Sequence, residues 1–382
     1  MSQALSSIIN NIGDVTTKIS QAFVEAVLEP KYIAGYKDGT VKTLSENLFV
    51  INTITLEEDG CITSITKVSD GTYMACARSK QGVFTLYKVN TETLQFESAV
   101  LPYEEAKDLH VTKLDSELLA LTAHGARKCD LFDVSLMQIT TSTKNHESSI
   151  YTDDSPVDVL LVNQDLFLTG DRNNIYLFDF KCNLIKSLER RKAEMPTGMV
   201  IMYPLLVELY SNEIDVWNLT EGVILYRVPC ETNLSRLTQV GPYLCALRVD
   251  RLLNSVFVFD PKQEFKNTKT VEILLNGREK PPRMLHIQDT TAVLVGDEGI
   301  HLVDVEKDIQ VREWTVLGHF KDNTTDKFAV KKHFVLDGNR LLILSADNET
   351  GENNLILFGL NELKIHYSEQ EADTKLWCLV HM

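Results

Sequence analysis

Arginine and lysine recur in this sequence where the chain turns between apolar runs. Arg78, Lys80, Arg127, Lys128, Arg172, Arg248 and Arg251 sit in such turns, with Arg190-Arg191-Lys192 and Arg278-Glu279-Lys280-Pro281-Pro282-Arg283 in longer connections. A guanidinium presents a planar fork of N–H donors that matches the paired oxygens of a phosphate or carboxylate. Arg78, Arg127, Arg172, Arg190, Arg191, Lys192, Arg251, Arg278, Lys280 and Arg283 are therefore candidate contacts to a phosphorylated or acidic peptide motif. Beside that reading stands a plainer one, in which these are solvated cations of hairpin turns.

Other chemistry has little to build on. The chain has no nucleotide-binding glycine loop, G-x-S-x-G elbow, H-E-x-x-H pair or EF-hand loop. Its nine histidines are dispersed, and the strand-borne His110, His124 and His286 read as core or turn residues. The acid pairs Glu104-Glu105 and Asp153-Asp154 fall in polar loops and read as solvated. We therefore expect no catalytic residues, no cofactor and no metal. The seven cysteines are scattered without a C-x-x-C pair, which reads as buried reduced thiols in an intracellular protein, cytoplasmic or nuclear. MSQALSSIIN carries no basic residue ahead of its apolar ones, so it does not read as a secretory signal. With 54 acidic and 38 basic side chains the formal charge is −16, which disfavours nucleic acid as a partner.

The elements that must position the basic residues show themselves as a repeat. An apolar run, a polar turn and a second run closing on an aromatic or aliphatic residue recur from Tyr32, Tyr73, Leu118, Leu166, Leu205, Tyr243, Ala292 and Leu341. The starts are spaced by 38 to 49 residues, close to the roughly 40–45 residues of a propeller blade. Short runs rich in Val, Ile, Leu, Tyr and Phe, bounded by Gly, Asp, Asn and Pro, are strands. Further strand-like runs, Ile62–Val68 and Thr93–Val100 among them, raise each unit to four strands. A four-stranded sheet buries its two faces only by stacking against its neighbours. The opening hairpin Tyr32–Leu44 has an outer candidate, Phe49–Leu56, but no innermost strand, and Leu376–Val380 is a strand without a unit of its own. Pairing the two gives eight blades; seven remain if the opening hairpin packs outside the ring.

At the ends of the third strands stand Phe132-Asp133, Phe178-Asp179, Trp217-Asn218, Phe259-Asp260 and Val303-Asp304, with Tyr87-Lys88, Leu44-Ser45 and Phe358-Gly359 more distant and one Gly318-His319 pair. By these pairs the chain resembles the WD40-repeat family over roughly Lys31 to Met382. The resemblance implies an all-β, WD40-like β-propeller, residues 31–382, closed by its C-terminal strand. It implies no particular activity, since propellers host unrelated functions.

Residues 1–30 read differently. Leu5, Ile8, Ile12, Val15, Ile19 and Phe23 belong to a stripe at intervals of three and four, opposite Ser, Thr and Asn, and Pro30 ends it. This predicts an N-terminal amphipathic α-helix whose stripe is an interface with the propeller, with a partner, or with a membrane surface through residues 2–28.

In a propeller, the turns joining strands two to three share one end with the blade-to-blade connections. That end collects the basic residues above, whereas Asp70, Glu92, Asp115, Glu117, Asp165, Glu221, Asp289, Glu306 and Asp337 collect at the other. The polar segments Thr141–Pro156, Pro261–Thr270 and Gly318–Lys327 read as long loops that add recognition surface. The functional expectation is a non-catalytic scaffold or complex subunit that binds protein partners and no small-molecule substrate. Alternatives are an adaptor reading acidic or phosphorylated motifs, and a peripheral membrane-trafficking component.

Overall fold

A computed structural model describes residues 29–46, 48–103, 106, 109–123, 129–142, 159–170, 173–191, 196–230, 234–248, 254–273, 283–296, 299–307, 309–315, 328–337, 340–347, 353–359, 364–370 and 376–381. Residues 1–28, and with them the expected helix, lie outside this set.

Eight four-stranded sheets account for these residues. The first opens with β1 (Pro30–Tyr36), β2 (Thr40–Ser45) and β3 (Val50–Thr55). The second holds β4 (Cys61–Ser69), β5 (Thr72–Arg78), β6 (Phe84–Asn90) and β7 (Gln95–Val100). The third holds β8 (Leu109–Lys113), β9 (Leu118–Ala123), β10 (Cys129–Asp133) and β11 (Gln138–Ser142). Next come β12 (Leu160–Leu161), β13 (Leu166–Gly170), β14 (Asn174–Asp179) and β15 (Leu184–Glu189). The fifth sheet is β16 (Gly198–Met202), β17 (Leu205–Leu209), β18 (Glu213–Asn218) and β19 (Val223–Pro229). The sixth is β20 (Leu234–Val240), β21 (Tyr243–Arg248), β22 (Asn254–Asp260) and β23 (Lys266–Ile273). Then follow β24 (Arg283–Gln288), β25 (Thr291–Gly296), β26 (Gly299–Asp304) and β27 (Ile309–Thr315). The eighth has β28 (Phe328–Asp337), β29 (Arg340–Asp347), β30 (Asn353–Gly359) and β31 (Lys364–Gln370), and the chain ends in β32 (Leu376–His381).

Seven sheets are meanders in chain order; the first runs β3-β2-β1-β32. Its register places Tyr32 opposite His381, Ala34 opposite Leu379 and Tyr36 opposite Leu376. The C-terminal strand thus supplies the missing inner strand, and the opening hairpin is a full blade. This is the all-β propeller architecture expected from the repeat, with eight sheets rather than seven. Each hairpin read from the sequence falls on the second and third strands of its sheet.

The chain packs as two compact units, one comprising Met1–Leu118, Asp133–Gln138 and Lys375–Met382, the other Leu119–Phe132 and Ile139–Thr374. In both units the cores lie between neighbouring sheets. In the first, Ile33 and Val41 of one sheet meet Ile62, Ala75 and Val89 of the next. In the second, Val207 and Val216 meet Leu244 and Phe259, while Val256 and Val258 meet Leu294 and Val303. Inner strands buried on both faces read as continuous apolar runs, and this explains YMACA and LLVEL.

In seven of the eight sheets the third strand ends by one device; the eighth ends in Gly359. Asn90, Asp133, Asp179, Asn218, Asp260 and Asp304 each accept, at Oδ1, backbone N–H groups two to four residues on, at 2.8–3.2 Å. In the first sheet Ser45 Oγ accepts from Phe49 N at 3.1 Å. The side chain replaces the ladder where the chain reverses into strand four. The residue before it, Leu44, Val89, Phe132, Phe178, Trp217, Phe259 or Val303, is buried. The family-like pairs are therefore turn caps behind a core plug. In the second sheet the pair is Val89-Asn90 and not Tyr87-Lys88: β6 runs three residues past Tyr87, whose bulk had mimicked a strand end.

Of the long polar loops, Pro261–Thr270 is corrected. It holds a 3-10 turn, Pro261–Gln263, the buried Phe265 and the start of β23. Its polar sequence reflects an outermost strand with one neighbour. In the first loop, Thr141 and Ser142 end β11; 143–156 and 318–327 lie outside the described residues.

Candidate interaction surface

The described basic candidates are divided between the loops joining strands two and three and the connections between sheets. In the first unit Arg78 closes β5 directly opposite Phe84, which opens β6. Its guanidinium carbon lies 5.4 Å from the Phe84 ring centroid, a cation–π stack that fixes the long side chain. The loop beyond is clipped by Ser79, whose N–H donates to Val83 O at 2.9 Å and whose Oγ accepts from Val83 N at 3.2 Å. Lys80 projects from it and pairs with Asp59 of the β3–β4 connection at 2.9 Å, both well exposed. Nearby, the Tyr87 hydroxyl donates to Glu57 at 2.8 Å. Burial, then the Glu57 carboxylate, push the Tyr87 phenol up to about 12.

The second unit repeats the arrangement at Arg248, which closes β21 with its guanidinium carbon 5.4 Å from the Phe257 ring. Arg78 and Arg248 are both half-buried, and Arg191 is exposed. Arg283 opens β24 opposite Val295. Arg127, Arg172, Lys192, Arg251, Arg278 and Lys280 lie outside the described residues, as do Leu5, Ile8, Ile12, Val15, Ile19 and Phe23. Of the candidates, then, the described loops place Arg78 beside Lys80 in one unit and Arg191 in the other.

Arg190 is a correction. It was expected on the rim, but its side chain is fully buried in the second unit, where it joins the fourth sheet to the fifth. Its Nε and Nη2 donate to Glu208 Oε1 at 3.0 and 2.7 Å. Glu208 Oε2 accepts from the Tyr210 hydroxyl and from Trp217 Nε1, each at 3.0 Å. Burial, then the adjacent Glu208 charge, hold the Tyr210 phenol well above its usual range. Gly170 makes the space: a Cβ there would lie 2.9 Å from Arg190 Nη2. Position in a connection suggested solvent, but Arg190 follows β15 immediately and its side chain turns toward the next sheet. The overlooked signal was Glu208 itself, an acid inside LLVELY that could be buried only with a cationic partner.

The opposite end differs in chemistry. Around the turns from strand three to strand four of the first unit, Phe49, Val50, Leu94, Phe96 and Leu136 are exposed. Sequence reading took Phe49 and Val50 as the start of an outer strand and did not single out the others. Among the described residues, no three His, Cys, Asp or Glu side chains are placed to hold a metal ion.

No protein-family model and no curated protein matches this chain. Solved structures do. The dihydro-heme d1 dehydrogenase NirN, solved in complex with DHE, aligns with a TM-score of 0.64 at 14% identity, covering 91% of this chain and 74% of that one. BamB from Moraxella catarrhalis aligns at 0.58 and 14%, covering 86% and 94%. Apo AztD from Citrobacter koseri aligns at 0.57 and 12%, covering 92% and 97%. At such identities the likeness is one of fold: these neighbours are β-propellers, and they do not single out the WD40 family.

Proposed function

We propose that this protein is a non-catalytic interaction module, an intracellular scaffold or complex subunit that offers propeller loops to protein partners. The observation that carries the reading is the repeated Arg-on-aromatic hairpin. Arg78 on Phe84 and Arg248 on Phe257 are each partly buried, with the guanidinium seated on a ring at a strand end. A stacked guanidinium loses less rotamer freedom on binding than a free one, so it suits recognition of carboxylate or phosphate oxygens. This favours, as the second reading, an adaptor for acidic or phosphorylated motifs. The capped ends of the third strands keep a WD40-like ancestry as our finer reading of the repeat. Intracellular residence fits the scattered cysteines, of which Cys76, Cys129 and Cys245 are buried; burial pushes the Cys245 thiol up to about 12, which keeps it unreactive.

The test is charge reversal followed by affinity purification and mass spectrometry. Arg78, Arg191, Arg278 and Arg283 are changed to Glu; Arg190 is left alone because its reversal would break the buried pair. Loss of the co-purified proteins with an unchanged melting profile supports the reading. An unchanged set of partners overturns the basic-loop recognition.

A further inference from the structure

One arginine outside the loops is held by an unusual stretch of backbone. In β20, Ser235 is the register partner of Leu247 and Thr238 of Cys245, so Arg236 and Leu237 together oppose Ala246 alone. Two residues against one make a β-bulge, and its first residue, Arg236, has a φ of +58°. Glycine takes such a left-handed position freely, whereas a side chain there crowds the following carbonyl. Among the described residues the other non-glycines with positive φ fall between strands; Arg236 alone is inside one.

The bulge is supported from both sides within the second unit. Gly198 of β16 makes room for it: a Cβ there would lie 2.8 Å from Leu237 Cβ and 3.2 Å from Leu237 N. On the other side the Thr238 hydroxyl lies 3.4 Å from Arg236 O and 3.5 Å from Met284 O of β24. The Arg236 side chain is exposed, and no described residue gives its guanidinium an ion pair or a hydrogen bond. Beside it, Val200, Met202 and Leu237 are partly buried over one apolar core. An arginine kept for structure has a partner, as Arg190 has in Glu208. One kept only for solubility gains nothing from a position that glycine fills better. Strain of this kind persists where the side chain serves a site.

We propose that Arg236 is the anion contact of a binding site on β16 and β20, for a carboxylate carried next to an apolar group. One guanidinium fork matches the two oxygens and the single charge of a carboxylate, and the ledge of Val200, Met202 and Leu237 receives the apolar part. A net charge of −16 weighs against polyanions far more than against one carboxylate. Such a group is found on a free organic acid and at a peptide C-terminus that ends in an aliphatic residue. The proposal rests on the reading of this protein as a recognition module, but it uses none of the loop arginines named there.

The test uses the full chain labelled with isotopic arginine. It is titrated with hexanoate and with the peptide acetyl-Gly-Gly-Leu, whose C-terminus is either free or amidated. The Arg236 Nε–Hε resonance, identified by its loss in Arg236→Lys, should move with hexanoate, with the free-acid peptide or with both, and stay still with the amide. Movement with hexanoate alone supports a free acid as the ligand, and movement with the peptide alone a chain terminus. By calorimetry, Arg236→Gln should weaken binding of the acids roughly tenfold or more. Arg236→Gly should weaken it equally while raising the melting temperature by about 2 °C, since it relieves the bulge. Those opposite effects separate a ligand contact from a structural residue, which would lose stability on becoming glycine. Arg78→Glu with Arg191→Glu should leave probe binding unchanged, so a failure of the loop reading is told apart from a failure here. A resonance unmoved by every probe, undiminished binding by Arg236→Gln, or a melting temperature of Arg236→Gly that does not rise would overturn the proposal.

Discussion

At the scale of the residue, the Arg190–Glu208 pair decides more than any surface charge. Both side chains are fully buried, so each is the other's charge partner, and Glu208 also holds the Tyr210 hydroxyl and the Trp217 indole. Removing one member leaves an uncompensated buried charge, which costs about 3–5 kcal/mol. Glu208→Ala should cost more than Arg190→Ala. It strands the guanidinium and two neutral donors, each worth about 1–3 kcal/mol when left unsatisfied. The double variant should cost less than the sum of the single ones, because its second truncation removes a charge that the first had orphaned. Urea unfolding of the four proteins measures the coupling, and additivity within about 0.5 kcal/mol would show the pair to be incidental. The same residues show where a sequence stops being legible. Arg190 reads as one cation in a run of three, and only the facing of β15 against β17 separates it from Arg191.

At the scale of the element, most was legible, because turn chemistry and burial both leave marks of residue type. All eight hairpins are where apolar runs and polar turns placed them, and among the described side chains the second and third strands are largely buried on both faces. The outermost strands were harder. β23 is polar along much of its length because it has one neighbour, so it read as loop. The capped turns also hide a conformational demand. Leu48, Leu94, Met137, Cys182, Gly222 and Glu264 occupy the left-handed region three or four residues past the cap, and one of them is glycine. A side chain there costs about 1–2 kcal/mol, whereas a glycine costs about 0.4–1 kcal/mol through the unfolded chain. The first term wins at Glu264, an exposed residue whose pairing with Lys266 at 3.4 Å is worth little. Glu264→Gly should therefore stabilise by about 0.5–1 kcal/mol. Gly222→Ala should do the reverse: at φ +78° its Cβ would meet Lys186 Cδ at 2.9 Å and Leu188 Cδ2 at 3.0 Å. Lys186 is held there by its ammonium bond to Thr220 O at 2.6 Å. Thermal denaturation of both variants tests the pair of signs, and a stabilised Gly222→Ala would refute the account.

For the whole chain, the controlling feature is that the first sheet is built from both ends of the described sequence. β1 pairs with β32 across almost the full length of the chain, a contact whose closure entropy must be met before any hydrogen bond of that pair forms. Once formed, the pairing protects the edge of β1 and ties the C-terminal segment into the first unit. Leu376 is buried there, and Tyr32, Ile33 and Ala34 of the partner strand are fully buried. Deleting residues 375–382 would expose that edge and remove five register pairs. At about 0.5–1.5 kcal/mol for each hydrogen bond lost, the deficit is several kcal/mol. A protein of this size should then melt roughly 3–9 °C lower. Backbone amides of β1 should lose protection from exchange before those of β13 or β17, which belong to sheets formed from local meanders. A synthetic peptide of residues 375–382 added in trans should restore the protection by pairing with the open edge, as a strand completes a sheet in β-augmentation. An unchanged melting temperature, or a peptide without effect on β1, would mean that the first sheet holds together without its closing strand.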